Sequence, residues 1–311
     1  MSSRCLYCYE PLESSGGEYH PRCAQRLFGI RKTPVIDIGM AELEELARRE
    51  INQRISVPGV QRKLSLDLVT QDKPRLTIVG LWGKFIFKPP AFDYAHLPEI
   101  EDFCMHLAGK LGIRVAVHGL VRLRGNELGY LCRRFDRDRE RRLAVEDFCQ
   151  LTETLTADKY YSSVEKVGKV LHRYSDNPGL DAQRLLEVVL FSYLTGNADM
   201  HLKNYALLRD SENELGLAPA YDLVSTTLVL PEDKEESALS INGRKHKLRR
   251  ADFESLSDAL KVDRAFFNYI IERWSKQRQL IKHTIQASFM PAAVQNKFAE
   301  LIEHRFAVLE A

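Results

Sequence analysis

Residues 196–226 read GNADMHLKNYALLRDSENELGLAPAYDLVST, and the rest of the chain is organised around them. An apolar, helix-like run, LLEVVLFSYLTG (185–196), leads into Asn197-Ala198-Asp199-Met200-His201. Asn204 follows Asp199 by five residues, and Asp222 follows Asn204 by eighteen. A carboxylate, an amide oxygen and a second carboxylate in that order suit phosphoryl transfer from a nucleotide. The first Asp orients or accepts a hydroxyl proton, while the Asn and the second Asp offer hard oxygen ligands to Mg²⁺ on the phosphates. The bland alternative is a loop after a buried helix that Asp199 and Asn204 merely cap.

Composition narrows the setting. A chain of 311 residues is long for one compact domain and predicts two lobes. Its 44% hydrophobic and 28% charged residues are ordinary for a globular protein. A net charge of +2 gives no overall field that would favour nucleic acid or membrane. No apolar run approaches the roughly 20 residues of a membrane span. The start, MSSRCLYCYEPLE, has no apolar signal core. Six Cys in this length do not make a disulfide scaffold, so a reducing, cytoplasmic location is expected.

Upstream of the central stretch the period is that of strands. In 55–69, ISVPGVQRKLSLDLV, Leu64, Leu66 and Leu68 alternate with Lys63, Ser65 and Asp67 behind a Pro58-Gly59 turn. RLTIVGLWGKFIFKPP (75–90) predicts two more strands, the second ending at Lys88, which Pro89 holds extended. Residues 97–112 read as a helix: Pro98 and acidic side chains open it and Gly112 closes it. A strand Lys gripped by a helix Glu, here Lys88 and Glu101, is how a kinase-like lobe holds ATP phosphates. Against this stand a solvent-seeking Lys88 and a Glu101 that only favours the helix dipole. Residues 113–138 give two β-rich runs about Gly125-Asn126 and end at Arg133-Arg134-Phe135, the expected hinge. From about 139 the period is helical, with amphipathic segments at 251–260, 263–281 and 292–311. β-rich first and helical second predicts an α+β, two-lobed fold. The expected division is 1–50, an N-terminal segment with a Cys/His knuckle and a short helix over 41–50; 51–135, a β-rich lobe; and 136–311, a helical lobe.

The knuckle is Cys5-x-x-Cys8 followed by His20-x-x-Cys23. Two x₂ pairs of soft ligands suit a tetrahedral structural Zn²⁺. The alternative is a metal-free segment packed by Tyr7, Tyr19 and Phe28. The basic clusters 137–142 and 244–250 read as solvated faces.

In combination, ISVPGVQRKLSL, FIFKPP, CRRFDRD, EDFCQ, GNADMHLKN and PAYDLVS resemble the signatures of HipA-type serine/threonine kinases, the toxins of bacterial type II toxin–antitoxin systems. The likeness covers roughly 50–305. Nothing before the loop matches the extra N-terminal subdomain of full-length HipA, so the chain looks most like HipT, the short kinase of three-part HipBST systems. The resemblance implies Asp199 as catalytic base, Asn204 and Asp222 as Mg²⁺ ligands, and Lys88 on the ATP phosphates with Glu101 positioning it. It places Arg133, Phe135 and Asp136 at the adenine hinge, Gly59, Gln61 and Lys63 in the loop over the phosphates, and His201 within the catalytic loop. Ser56 matches a serine that the family autophosphorylates. The implied partners are a HipS-like small protein, a HipB-like protein through which alone DNA is met, and an aminoacyl-tRNA synthetase as substrate. Two departures stand out: Ser56-Val57-Pro58 lacks a second acceptor serine, and the loop has the single glycine Gly59. An antibiotic-type small-molecule phosphotransferase would use the same catalytic triplet. A non-catalytic nucleic-acid-binding module is the third reading.

Overall fold

The computed structural model describes all residues except 1–3, 14–16, 37, 44, 46–61, 72, 80–82, 92 and 139–140. Ser56, Gly59 and Gln61, and most of the helix expected over 41–50, therefore lie outside the described residues. The chain forms two compact units, Met1–Asp102 with Ala116–Arg134, and Phe103–Val115 with Phe135–Ala311.

The first unit is built on a five-stranded antiparallel sheet of order β2-β1-β3-β5-β4, with β1 Leu64–Val69, β2 Arg75–Ile78, β3 Phe85–Lys88, β4 His118–Arg122 and β5 Leu128–Arg133. The alternation in β1 buries Leu66 completely, and β3 ends at Lys88 where Pro89 has no N–H to continue the ladder. The turn between β4 and β5 uses Asn126 at φ 83°, a conformation that Asn tolerates. Helix α1 (Pro21–Phe28) lies against the sheet, with the rings of Phe28 and Phe85 6.4 Å apart. The N-terminal segment is tied to both sheet edges. Leu120 of β4 donates its N–H to Leu6 (3.1 Å), and Leu76 of β2 donates to Val35 (3.0 Å). Helix α2 (Leu97–Lys110) ends as the sequence predicts: Gly112 takes φ 93°, and Ile113 N–H reaches back to the Ala108 carbonyl, satisfying an otherwise orphaned acceptor. Leu97–Asp102 of this helix belongs to the first unit and Phe103–Lys110 to the second.

The second unit is mainly helical. After α3 (Phe148–Leu151) and α4 (Val164–Tyr174) comes α5 (Pro178–Leu194), which buries most of its length, as its apolar sequence requires. A short helix, Thr226–Val229, precedes a C-terminal group at Arg250–Ala259, Arg264–Lys276, Arg278–Ala287 and Ala292–Glu310. The single helix expected over 263–281 is broken at Gln277, whose N–H turns to the Trp274 carbonyl in a tighter turn. Past the break, the Arg278 guanidinium meets Glu303 and Glu310 and stacks 4.3 Å from the Phe306 ring centroid. The sequence reading also passes over a small sheet of Val145–Asp147, Ala206–Arg209 and Leu215–Leu217. It flanks the central stretch and sets the path from Asn204 to Asp222. Among the described residues no helix is long and apolar enough to cross a membrane.

Gly129 on β5 is a close-approach position. A Cβ there would stand 2.3 Å from the ring of fully buried Phe87 and 3.3 Å from the Lys88 carbonyl. Gly129→Ala is expected to destabilise by about 1–3 kcal/mol in chemical denaturation, because the ring has no room to yield. An unchanged midpoint would mean that the sheet adapts freely.

Candidate active site

The first unit supplies a buried ion pair. Lys88, the last residue of β3, extends its Nζ to 2.6 Å from Glu101 Oε1, and the two side chains are 4% and 1% exposed. The Lys88 ammonium also lies 5.5 Å from the centroid of the Tyr130 ring, opposite it on β5. In so dry a place each charge needs the other. This burial is not that of a solvent-seeking Lys88, and Glu101 has a partner besides the helix dipole. Adjacent acidic residues of α2 have separate partners: Glu99 faces His96 at 3.6 Å, and Asp102 accepts a 2.6 Å hydrogen bond from the Tyr9 hydroxyl. Burial holds the Asp102 carboxyl well above the usual carboxylate range despite that bond, and the charges of Glu101 and Glu99 push the same way. Burial lowers the neighbouring His118 imidazole to about 4, so this corner of the sheet carries no histidine charge near neutral pH.

The second unit supplies the carboxylate loop. Helix α5 is capped at Thr195, Gly196 turns the chain at φ 67°, and Asn197-Ala198-Asp199 follows outside regular secondary structure. The loop is closed by its own far end. Thr226 accepts the Ala198 N–H at 2.8 Å, while the Thr227 N–H and hydroxyl donate to the Gly196 carbonyl at 3.0 and 3.1 Å. The two ends of the 196–226 stretch are thus hydrogen-bonded to each other. Asn197 Oδ1 accepts the Asp199 N–H at 3.0 Å. Asn204, buried, donates its Nδ2 to the Asp199 carbonyl at 2.8 Å. That bond consumes the donor end of the amide and leaves Oδ1 as the end suited to a hard cation. His201 is buried with Nε2 3.9 Å from Asp199 Oδ1, and its Nδ1 has no hydrogen-bond partner among the described residues. Burial lowers its pKa, the charges of Asp199 and Asp222 opposing, so the ring is neutral. Asp222 is held at φ 58°, and the hydroxyl of its neighbour Tyr221 is anchored to the Lys203 carbonyl at 2.8 Å.

The Asp199 side chain is 43% exposed. One of its oxygens accepts the Tyr160 hydroxyl, whose pKa is raised by burial and by Asp199 itself. Sequence reasoning missed Tyr160: it lies 39 residues from Asp199, and an aromatic pair in a loop carries no motif.

Arg133 ends β5 with its N–H bonded to the Val117 carbonyl at 2.7 Å, and its side chain is exposed. Phe135 begins the second unit and packs 5.4 Å from Tyr221, beside the small cluster of Ala206, Leu208 and Ala218. Asp136 pairs with Arg137 at 2.5 Å. Lys63 is exposed just before β1. Asn204 and Asp222 offer an amide oxygen and a carboxylate, ligand types that suit a hard cation such as Mg²⁺.

Removing one member of the buried pair strands the other charge. Glu101→Gln or Lys88→Met alone is expected to cost about 3–5 kcal/mol. The double variant should recover much of that in a denaturation cycle. Additive losses would show that the two side chains do not act as a pair.

Comparison with known proteins places this architecture. The profile of the HipA-like C-terminal domain family matches residues 55–285. A putative kinase of Haemophilus influenzae is 26% identical over 269 residues, spanning 77% of each chain. A putative kinase of Sinorhizobium fredii is 32% identical over 68% of this chain. The serine/threonine-protein kinase toxin HipA of Shewanella oneidensis is 28% identical over 60% of it. The matched regions span only about half of the latter two relatives, 56% and 51%. Among solved structures, HipA in the Shewanella oneidensis complex of HipA, HipB and operator DNA superposes with a TM-score of 0.70 at 21% identity, over 96% of this chain and 82% of that one. The Helicobacter pylori proinflammatory kinase CtkA gives 0.56 at 16% identity, over 82% and 90%. The α+β fold expected from sequence, kinase-like and HipA-like, β-rich first and helical second, is the observed one. With the family profile covering most of its length, the chain belongs to the HipA-like C-terminal domain family.

Proposed function

We propose that this chain is an ATP-dependent serine/threonine protein kinase acting as the toxin of a HipBST-like toxin–antitoxin system. The observation that carries the reading is the dry Lys88–Glu101 pair, found in the same chain as a loop that presents a half-exposed Asp199 beside an oriented Asn204. In this reading residues 51–135 are the N-lobe and 136–311 the C-lobe. Lys88, positioned by Glu101, neutralises ATP phosphate charge, and Asn204 and Asp222 hold Mg²⁺. The cation supplies charge neutralisation on the phosphates when bound. The substrate hydroxyl oxygen attacks the γ-phosphorus as the bond to the ADP oxygen breaks, and Asp199 takes the hydroxyl proton. His201, neutral and buried, keeps the loop's shape without adding charge. Arg133, Phe135 and Asp136 receive the adenine, chiefly through backbone groups, and Gly59, Gln61 and Lys63 cover the phosphates.

The protein substrate in this proposal is an aminoacyl-tRNA synthetase, whose phosphorylation halts translation and growth in the cytoplasm. A HipB-like DNA-binding partner is supported by the Shewanella neighbour, which was solved with HipB and operator DNA. A HipS-like partner and the HipT grouping rest on the sequence resemblance. Labelled ATP in a cell lysate should mark one protein band; a labelled small molecule and no band would favour the antibiotic-type phosphotransferase. Asp199→Asn and Asp222→Asn are each expected to lower transfer by at least about 10²–10⁴-fold. Near wild-type rates in either would sink the kinase reading.

Autophosphorylation at Ser56 is part of the proposal. A phosphate there adds about −1.5 to −2 charges next to the triphosphate site and should weaken ATP binding. Ser56→Asp is expected to reduce both ATP affinity and toxicity, and full activity in that variant would overturn self-control at this serine.

A further inference from the structure

The phosphoryl-transfer reading leaves the N-terminal knuckle without a task, yet its four side chains converge. The ligand atoms of Cys5, Cys8, His20 and Cys23 all lie within 4.8 Å of one another. Tetrahedral Zn²⁺ with ordinary bond lengths holds its S and N ligands about 3.5–3.8 Å apart. His20 Nδ1 is 3.4 Å from Cys8 Sγ and 3.8 Å from Cys23 Sγ.

The backbone supports this arrangement. The Cys5–Cys8 turn is closed by Tyr9 N–H to the Cys5 carbonyl (3.0 Å), with Tyr9 at φ 69°. His20 is the residue before α1 and Cys23 lies in its first turn, so the i and i+3 side chains share a side. His20 Nε2 lies 2.9 Å from the Pro11 carbonyl, which can only accept. In a neutral ring this puts the proton on Nε2 and turns the bare Nδ1 lone pair towards the sulfurs, the outer-shell arrangement of a metal-bound histidine. Three thiols and an imidazole select zinc over a hard cation.

The knuckle is tied to the ion pair. Tyr9, next to Cys8, holds buried Asp102 through its hydroxyl, and Asp102 is the helix neighbour of Glu101. Fixing one side chain of a helix fixes its rotation, and so the direction of the adjacent one. Leu6 and Tyr19, also in the knuckle, bond the N–H and carbonyl of Leu120 on β4.

We propose that Cys5, Cys8, His20 and Cys23 form a structural Zn²⁺ site that, through Tyr9 and Asp102, sets the rotation of α2 and so positions Glu101 against Lys88. The consequence for nucleotide rests on the kinase reading; the metal and its hold on the helix do not. Elemental analysis of the full chain, purified from zinc-supplemented cells, should find a single equivalent of zinc. Cys8→Ser and Cys23→Ser should lose it, and Tyr9→Phe should keep it. Amide exchange over 97–110 should accelerate by roughly tenfold in Tyr9→Phe, the equivalent of one hydrogen bond, and likewise after chelation. Tyr9→Phe, still metal-loaded, separates this from wholesale unfolding. No zinc in the wild-type chain, iron in its place, or full zinc in Cys23→Ser would overturn the site. Exchange over 97–110 indifferent to Tyr9→Phe would overturn the link to α2. Zinc and exchange behaving as expected in a chain that transfers no phosphate would uphold the knuckle and count against the kinase reading alone.

Discussion

The buried Lys88–Glu101 pair is the constraint on which the elements around it depend. A full charge at 4% exposure is tolerable only with its counter-charge in hydrogen-bonding range. Three elements must agree for that to happen. β3 must stop at Lys88, α2 must present Glu101 at a set rotation, and β5 must bring Tyr130 across from Lys88. Gly129 serves the same end by leaving room for the Phe87 ring where a Cβ would stand. An apolar pair of similar shape would pack here with less desolvation, so the pair is not in itself a source of stability.

The second unit answers a different demand. The Asp199 side chain is 43% exposed, so it is not fixed by burial. Here the backbone around it is fixed instead. Gly196 is gripped by Thr226 and Thr227, and Asp199 is held through its N–H by Asn197 and through its carbonyl by Asn204. The peptide frame is thus hydrogen-bonded on both sides of Asp199, while its carboxylate meets Tyr160 and solvent.

Much of this was legible because the chain punctuates itself. Pro89 after Lys88, Gly125-Asn126 between strands, and Gly112 behind a helix each force a local outcome that no tertiary contact reverses. The x₂ spacings of the knuckle were legible for the same local reason. The strands Val145–Asp147 and Leu215–Leu217 were not, since three residues cannot establish a period of two. The break at Gln277 was hidden because glutamine is a good helix former and the tight turn there is tertiary in origin. The bonds from Tyr9 to Asp102 and from Tyr160 to Asp199 span 93 and 39 residues, and no local pattern announces them.

Asp222 sits in the left-handed region at φ 58°, where a carboxylate-bearing residue is tolerated and glycine is at ease. Every drift towards comfort at this position leads away from a carboxylate. A chain selected for folding alone would lose this aspartate early, and the loss would register as a gain in stability. In the kinase reading proposed above, strain of this kind falls on a residue kept for its chemistry, and a degenerate copy would be recognisable by the glycine standing in its place.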